Sequence, residues 1–283
     1  MHLFTGRSVV FYKMQGSGND FILFDNRELC LPADKMSEWA KRLCPRAFAV
    51  GADGMIFLNP PSGPEVDYEW DFFNSDGSRA EMCGNGSRCA ARLAYMLGLA
   101  EAEHVFGTDA GPVAAQVLDR DRVRVQLTAV KEVQTGIDLP ALDGGERLSV
   151  YFTNTGVPHA VVISREVQSV DVYALGRRIR NHDYFAPAGA NVNFVQSMDS
   201  GRILLRTYER GVEEETYACG TGAAAAVVVA RNLGLCGEEV EVTTSGGERL
   251  GILLEEDRVF LSGPARLVFR GETEVERFGL ARP

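Results

Sequence analysis

The chain has 283 residues, 45% of them hydrophobic and 24% charged, enough apolar material for two cored domains. Its formal net charge of −10 argues against nucleic acid and acidic membrane surfaces as partners, because a surface of that sign repels phosphate. The longest apolar run, Ala218 to Ala230, falls short of the roughly 20 residues that span a bilayer, and Met1 to Arg7 lacks the basic-then-apolar layout of a signal peptide, so a cytoplasmic protein is expected.

In chain order, Asp34 to Cys44 reads as an amphipathic surface helix stopped by Pro45. Asp67, Glu69 and Asp71 alternate with Val66, Tyr68, Trp70 and Phe72, a period of two that marks a half-buried strand. A turn at Asn74-Ser75-Asp76-Gly77 follows, then Cys83, then a stretch of helix formers from Arg88 to Met96 that closes on Gly98. Further on, Ile203 to Tyr208 reads as a strand and Ala223 to Asn232 as a small-residue helix ended by Gly234. Val240 to Thr244 and Leu250 to Leu254 are short β-rich stretches.

The second part of this layout repeats the first at a constant offset, 219 − 83 = 136. Cys83-Gly84-Asn85-Gly86 matches Cys219-Gly220-Thr221-Gly222, Leu97-Gly98-Leu99 matches Leu233-Gly234-Leu235, Asp121-Arg122-Val123 matches Asp257-Arg258-Val259, and Gly111 matches Gly247, all without a gap. Two homologous halves in one chain are the economical explanation. Many strands with one long buried helix in each half point to an α/β fold in which a curved sheet wraps a central helix.

The composition holds 6 cysteines, at 30, 44, 83, 89, 219 and 236, which in a cytosolic chain read as thiols in preference to disulfides. There is no C-x-x-C pair or His/Cys cluster with zinc spacing, so no metal is expected. Gly16-Ser17-Gly18-Asn19-Asp20 lacks the third glycine of a dinucleotide loop and the Gly-Lys-Ser/Thr of a phosphate loop.

Cys83 and Cys219 each precede a glycine-containing turn that opens a helix. Unpaired amide N–H groups cluster there at the positive end of the helix dipole. A thiol pKa of about 8.5 is lowered toward neutrality in such a place, and the same amides hold a carboxylate. If one cysteine from each half serves the same substrate, one thiolate removes an α-proton while the other thiol protonates the opposite face, which inverts the stereocentre. For a lone cysteine before a glycine the ordinary reading is a small buried hydrophobe; two at equivalent positions of a duplicated chain reverse that weighting. A redox pair is the remaining alternative.

These residues resemble the diaminopimelate epimerase family from Phe11 to Ala265. The resemblance rests on Lys13-Met14-x-Gly16-x-Gly18-Asn19-Asp20-Phe21, on Phe73-Asn74-x-Asp76-Gly77-Ser78 running to Ala80-Glu81-Met82-Cys83-Gly84-Asn85-Gly86, on Asn191-Val192-Asn193-Phe194, on Arg206-Thr207-Tyr208-Glu209-Arg210-Gly211 and on Ala218-Cys219-Gly220-Thr221-Gly222. Proline racemases share the cysteine pair but carry histidine where Asn85 stands, a weaker match.

The resemblance implies a cofactor-independent epimerase that interconverts L,L- and meso-2,6-diaminopimelate in lysine and peptidoglycan precursor biosynthesis. It implies Cys83 and Cys219 as the catalytic pair, with His159 and Glu209 assisting. Gly84, Asn85, Gly220 and Thr221 would bind the reacting carboxylate, and Asn19, Asn74, Asn191, Glu209 and Arg210 would bind substrate through side chains. It also implies a homodimer, and two α/β domains, each a barrel-like mixed sheet around a central helix. The boundary is placed at residues 1–127 and 128–283, with the segment from about 267 to 283 returning to the first half. One departure stands out: many family members read Asn-Pro-His where this chain has Val157-Pro158-His159, and Asn154 and Thr155 are the nearby candidates to replace that asparagine.

Two other readings remain open from the sequence. One is a two-cysteine racemase of proline or hydroxyproline, and the other a non-catalytic or redox protein of the same fold. Arg210 and the asparagines favour a substrate with a second zwitterionic end.

Overall fold

The computed structural model describes residues 8–130, 132–139 and 148–281. The Met1 to Arg7 stretch read for a leader lies outside them. The described chain falls into two compact units, one running to Val125 and resuming at Gly263, the other spanning Gln126–Ser262. No described helix is long and apolar enough to cross a membrane.

The first unit contains β1 (Val9–Gly16), β2 (Asn19–Asp25), α1 (Asn26–Leu29), α2 (Ala33–Leu43), β3 (Gly54–Asn59), β4 (Tyr68–Asn74), α3 (Gly84–Met96), β5 (Glu103–Thr108), β6 (Gly111–Val117) and β7 (Arg122–Gln126), whose last residue falls beyond the unit boundary. β1 and β2 pair antiparallel, β2 and β3 parallel, β3 and β4 antiparallel, β4 and β5 parallel, and β5–β6 and β6–β7 antiparallel.

The second unit contains β8 (Glu132–Leu139), β9 (Leu148–Asn154), β10 (Pro158–Ile163), α4 (Val172–Arg180), β11 (Asn191–Asp199), β12 (Arg202–Glu209), β13 (Glu214–Thr216), α5 (Gly220–Asn232), β14 (Glu239–Thr244), β15 (Arg249–Glu255) and most of β16 (Arg258–Pro264). From β9 the order of pairings is the same: antiparallel to β10, then parallel, antiparallel, parallel, and twice antiparallel through β11, β12, β14, β15 and β16. The last strand, β17 (Arg266–Thr273), returns to the first unit and pairs antiparallel with β1, as β8 does with β9.

The offset seen in the sequence is therefore an offset of structure. α3 and α5 begin and end 136 residues apart (220 − 84 and 232 − 96), and so do β5 and β14 (239 − 103 and 244 − 108). Both helices start earlier than helix propensity suggests, at Gly84 and Gly220 instead of Arg88 and Ala223. A sulfur cap holds the glycine-bearing turn in the helix despite its low intrinsic preference. Both end in a left-handed glycine, Gly98 at φ 67° and Gly234 at φ 71°, with Leu99 N–H donating to Ala94 and Leu235 N–H to Ala230.

α3 packs against β1, β2, β3, β6 and β17, strands drawn from both ends of its sheet, so that sheet wraps the helix. α5 packs likewise against β9, β10, β11, β12 and β15. Every residue of α5 from Gly222 to Ala230 is buried, and none is larger than valine, as a helix enclosed on all sides requires. A second core in the first unit forms where α2 lays Met36, Trp39, Ala40 and Leu43 against the outer face of the strands. Trp39 meets Phe24 edge-on at 5.4 Å between ring centroids, and Phe24 stacks on Phe57 at 5.4 Å. In the second unit α4 does the equivalent with Val172 and Ile179 over Phe194 and Tyr208.

The contact between α4 and β12 is tight enough to reverse an ordinary preference. Alanine in a helix interior is favoured over glycine by about 1 kcal/mol. A Cβ at Gly176, however, would fall 2.5 Å from the Cβ of Tyr208. Gly176→Ala is expected to destabilise the protein by about 1–3 kcal/mol, as overpacking does, read as a lower urea midpoint; a raised midpoint would show that α4 can shift.

Candidate active site

In the first unit, Cys83 has extended backbone (φ −149°, ψ 115°) and is the N-cap of α3. Its Sγ accepts a hydrogen bond from the Gly86 N–H at 3.4 Å, the task usually done by a serine or aspartate oxygen. The turn between β1 and β2, with Ser17 at φ 59° and Gly18 at φ 80°, delivers Asn19 to the same place. The Cys83 thiol lies 3.7 Å from Asn19 Oδ1, and Asn85 Nδ2 donates to that oxygen at 3.5 Å. Asn19 Nδ2 donates to Asp53 Oδ2 at 2.6 Å, which fixes the amide with its oxygen toward the sulfur.

Asp53 is held in turn. Arg46 bridges Asp53 and Asp20 at 2.8 and 2.5 Å, and the buried Lys13 pairs with Asp20 at 2.7 Å while donating to the Gly51 carbonyl. Asp20 is drawn down to about 2: partial burial raises its pKa, and the hydrogen bonds and charges of Arg46 and Lys13 outweigh that. Behind the first turn of α3, the fully buried Arg88 donates to Ser17 Oγ (2.6 Å), Asn85 Oδ1 (2.9 Å), and the carbonyls of Pro264 (3.3 Å) and Gly84 (3.4 Å). It ties the β1–β2 turn to the helix start. Asn74, the last residue of β4, is exposed, and its hydrogen bonds stay in its own turn, with Nδ2 donating to Ser78 Oγ at 3.0 Å.

In the second unit, Cys219 repeats the arrangement. It is the N-cap of α5 (φ −125°, ψ 109°), and its Sγ accepts from the Gly222 N–H at 3.4 Å, with Thr221 Oγ1 at 3.5 Å. The buried Thr155 donates to the Thr221 carbonyl at 3.2 Å and so braces this turn. Asn154 Oδ1 accepts from the Gly156 N–H at 3.0 Å, which shapes the loop that carries Val157.

His159 and Asn191 are register partners on β10 and β11, and both are buried. Asn191 Oδ1 accepts from the Arg210 N–H at 2.8 Å, and its Nδ2 donates to the Pro158 carbonyl at 3.4 Å. The asparagine thus links the histidine strand to the turn that carries Glu209 and Arg210. Glu209 Oε2 accepts from the Thr216 hydroxyl at 2.8 Å, and Arg210 donates to the Ala188 carbonyl at 3.2 Å. Sequence motifs named most of these side chains. They did not assign roles to Asp53, Arg88 or Asn193, each of which reaches at least one partner on another element.

Electrostatics separate the residues further. Burial pushes the His159 pKa down to about 3, and the positive charge of Arg210 works in the same direction. Burial raises that of Glu209, offset in part by the Thr216 hydrogen bond. Burial also pushes Cys44 and Cys89 up to about 12, which makes them inert core thiols.

The sequence profile described as Diaminopimelate epimerase matches residues 11–133 and 151–268. The chain is 46% identical over 275 residues to the diaminopimelate epimerase of Hydrogenobaculum sp. (strain Y04AAS1), covering 94% of this chain and 99% of that one. It is 46% identical over 276 residues to the diaminopimelate epimerase of Aquifex aeolicus, covering 94% and 98%. Among solved structures, a hydroxyproline epimerase from Agrobacterium vitis, with bound trans-4-hydroxy-L-proline, shares the fold with a TM-score of 0.67 at 16% identity, covering 95% and 93%. The chain is thus an isomerase of the amino-acid epimerase class. It belongs to the diaminopimelate epimerase family.

The buried neutral histidine makes stability depend on pH. A histidine with a folded pKa of about 3 and an ordinary value of 6.5 binds fewer protons folded than unfolded between those limits. Stability is therefore lost as pH falls below 6.5 toward 3, and Asp20, lowered from 3.8 to about 2, adds its loss only in the more acid part. His159→Gln is expected to flatten the upper part of that decline, down to about pH 4. Urea midpoints measured across the range check this; parallel curves for the two proteins would refute it.

Proposed function

We propose that the chain interconverts L,L- and meso-2,6-diaminopimelate without a cofactor, with Cys83 and Cys219 as acid and base on opposite faces of one α-carbon. The observation that carries the reading is the matched pair of sulfur-capped helices: two thiols, 136 residues apart (219 − 83), each accept the amide N–H three residues ahead. The two compact units are then the two halves of a duplicated epimerase, each supplying one of the two bases.

In this reading the thiolate on one side removes the α-proton, and the thiol on the other delivers its own proton to the carbanion. One sulfur gains a proton and the other loses one, so the reverse reaction starts from the exchanged state. The amides at Gly84, Asn85, Gly220 and Thr221 receive the substrate carboxylate and the charge that builds on it. Asn19, Asn74, Asn191, Glu209 and Arg210 bind the rest of the molecule, and His159 and Glu209 assist catalysis. The 46% identity to relatives named diaminopimelate epimerase supports the substrate.

Cys83→Ala and Cys219→Ala are each expected to lower epimerisation by about 100-fold or more, the usual contribution of a positioned acid or base. In deuterated buffer, product from the L,L isomer should carry deuterium at the inverted carbon. Either variant retaining more than about a tenth of the activity would remove the two-base assignment.

Specificity is expected to rest on the distal end, since backbone amides at the reacting end suit any amino acid. A guanidinium holds a carboxylate by two parallel bonds, and losing such a charged hydrogen bond costs about 1.5–3 kcal/mol, or roughly 10- to 150-fold. Arg210→Met should lower kcat/KM for diaminopimelate by at least that factor while changing far less the poor activity on an amino acid without a distal carboxylate. Equal losses on both would place the determinant elsewhere.

A further inference from the structure

Asn193 lies on β11 two residues beyond Asn191 and is completely buried. Its amide has a donor end and an acceptor end, and its neighbours decide which points where. Asn193 Nδ2 donates to the Ala160 carbonyl at 3.1 Å, and a carbonyl only accepts, so the nitrogen must face that side. The Thr207 hydroxyl donates to Oδ1 at 3.0 Å on the other side. The second hydrogen of Nδ2 is left for His159 Nδ1 at 3.0 Å. An amide nitrogen offers no lone pair, so Nδ1 has to be the acceptor and carries no proton. The ring proton then sits on Nε2, which is buried and meets no hydrogen-bond partner among the described residues.

We infer that Asn193 is a positioning residue that locks His159 as its neutral Nε2–H tautomer, so that this histidine meets a bound anionic oxygen as a hydrogen-bond donor and does not act as a base. Two further observations agree. Burial and the nearby Arg210 both disfavour the imidazolium, which leaves the neutral ring as the working form. A Cβ at Gly222 would fall 2.5 Å from Asn193 Oδ1, so the asparagine sits directly against the turn capped by Cys219, and the glycine there keeps room for it. The buried, partnerless N–H calls for an acceptor supplied by a ligand, since leaving it bare in the interior is costly. A carboxylate, or the enolate-like oxygen it acquires when the α-proton leaves, has the right chemistry. The tautomer follows from the geometry alone; its effect on turnover rests on the epimerase reading proposed above.

The tautomer is visible without substrate. In wild-type protein labelled with 15N-histidine, the resonances of His159, one of 4 histidines in the chain, are assigned by comparison with His159→Gln. A pyridine-type shift at Nδ1 and a pyrrole-type shift at Nε2 are expected; the reverse pattern would overturn the inference whatever the substrate proves to be. Asn193→Asp puts an acceptor-only carboxylate against Nδ1 and should move the proton there, reversing the two shifts. The same variant should lower kcat on L,L-diaminopimelate by about 10-fold or more with a smaller change in KM, as loss of a donor to developing charge does. A reversed tautomer with unchanged kcat would overturn the role in turnover. Should Asn193→Asp not fold, Thr207→Val loosens the amide by removing the donor to Oδ1: mixed tautomers and a partial loss of kcat support the inference, and a wild-type spectrum and rate oppose it. If wild-type protein leaves L,L-diaminopimelate untouched, the proposed function fails while the spectrum still decides the tautomer.

Discussion

Both central helices begin with amide groups that no earlier carbonyl can satisfy, and in both a sulfur atom meets one of them. A sulfur cap is a weak structural device compared with a serine or aspartate oxygen. It leaves the thiol at the positive end of a helix, with the side chain fixed at its own backbone and at the third amide ahead. The surrounding architecture follows from keeping that arrangement intact. Glycines at the first and third helical positions keep the turn open, enclosing strands hold the helix from several sides, and a leucine after each C-terminal glycine closes the far end. Under the proposed two-base reading, the thiol is needed where a better cap would otherwise stand.

The two sulfurs have different surroundings. Around Cys83 the support is ionic: Lys13, Asp20, Arg46 and Asp53 form a chain of charges that ends on the Asn19 amide. Around Cys219 the support is buried and neutral: Thr155, in the loop between β9 and β10, holds the Thr221 carbonyl, while His159, Asn193 and Thr207, on β10, β11 and β12, are joined to one another by hydrogen bonds. Duplication preserved the backbone frame and left each half to solve the placement of its sulfur in its own way. Screening by salt acts on the first solution far more than on the second, because exposed charges such as Arg46 share their field with solvent.

Much of this was legible in the residue pattern. The constant offset located both helices and both cysteines, and the C-terminal glycines placed the helix ends. The starts of the helices were read three or four residues late, because propensity disfavours glycine and says nothing of a cap that favours it. In the second unit β10 and β11 left little periodic signal, since Ala160 to Val162 and Val192 to Val195 are buried on both faces and do not alternate. Asp53 and Arg88 were illegible for another reason. Each acts on a residue far along the chain, Asp53 on Asn19 and Arg88 on Ser17 and Pro264, and no local spacing records such a partnership.

The run of small residues in α5 has a thermodynamic side. Alanine and glycine have no side-chain rotamers to lose on folding, and valine has few. From Gly222 to Ala230 the helix is buried at almost no side-chain entropic cost, although it gains less from apolar burial than larger residues would. Its interior has few alternative packings to sample, because there are almost no torsions to turn. The cysteine at its head is therefore mounted on a part of the molecule with little configurational freedom, and the direction of its sulfur is set by backbone geometry more than by the packing of neighbouring side chains.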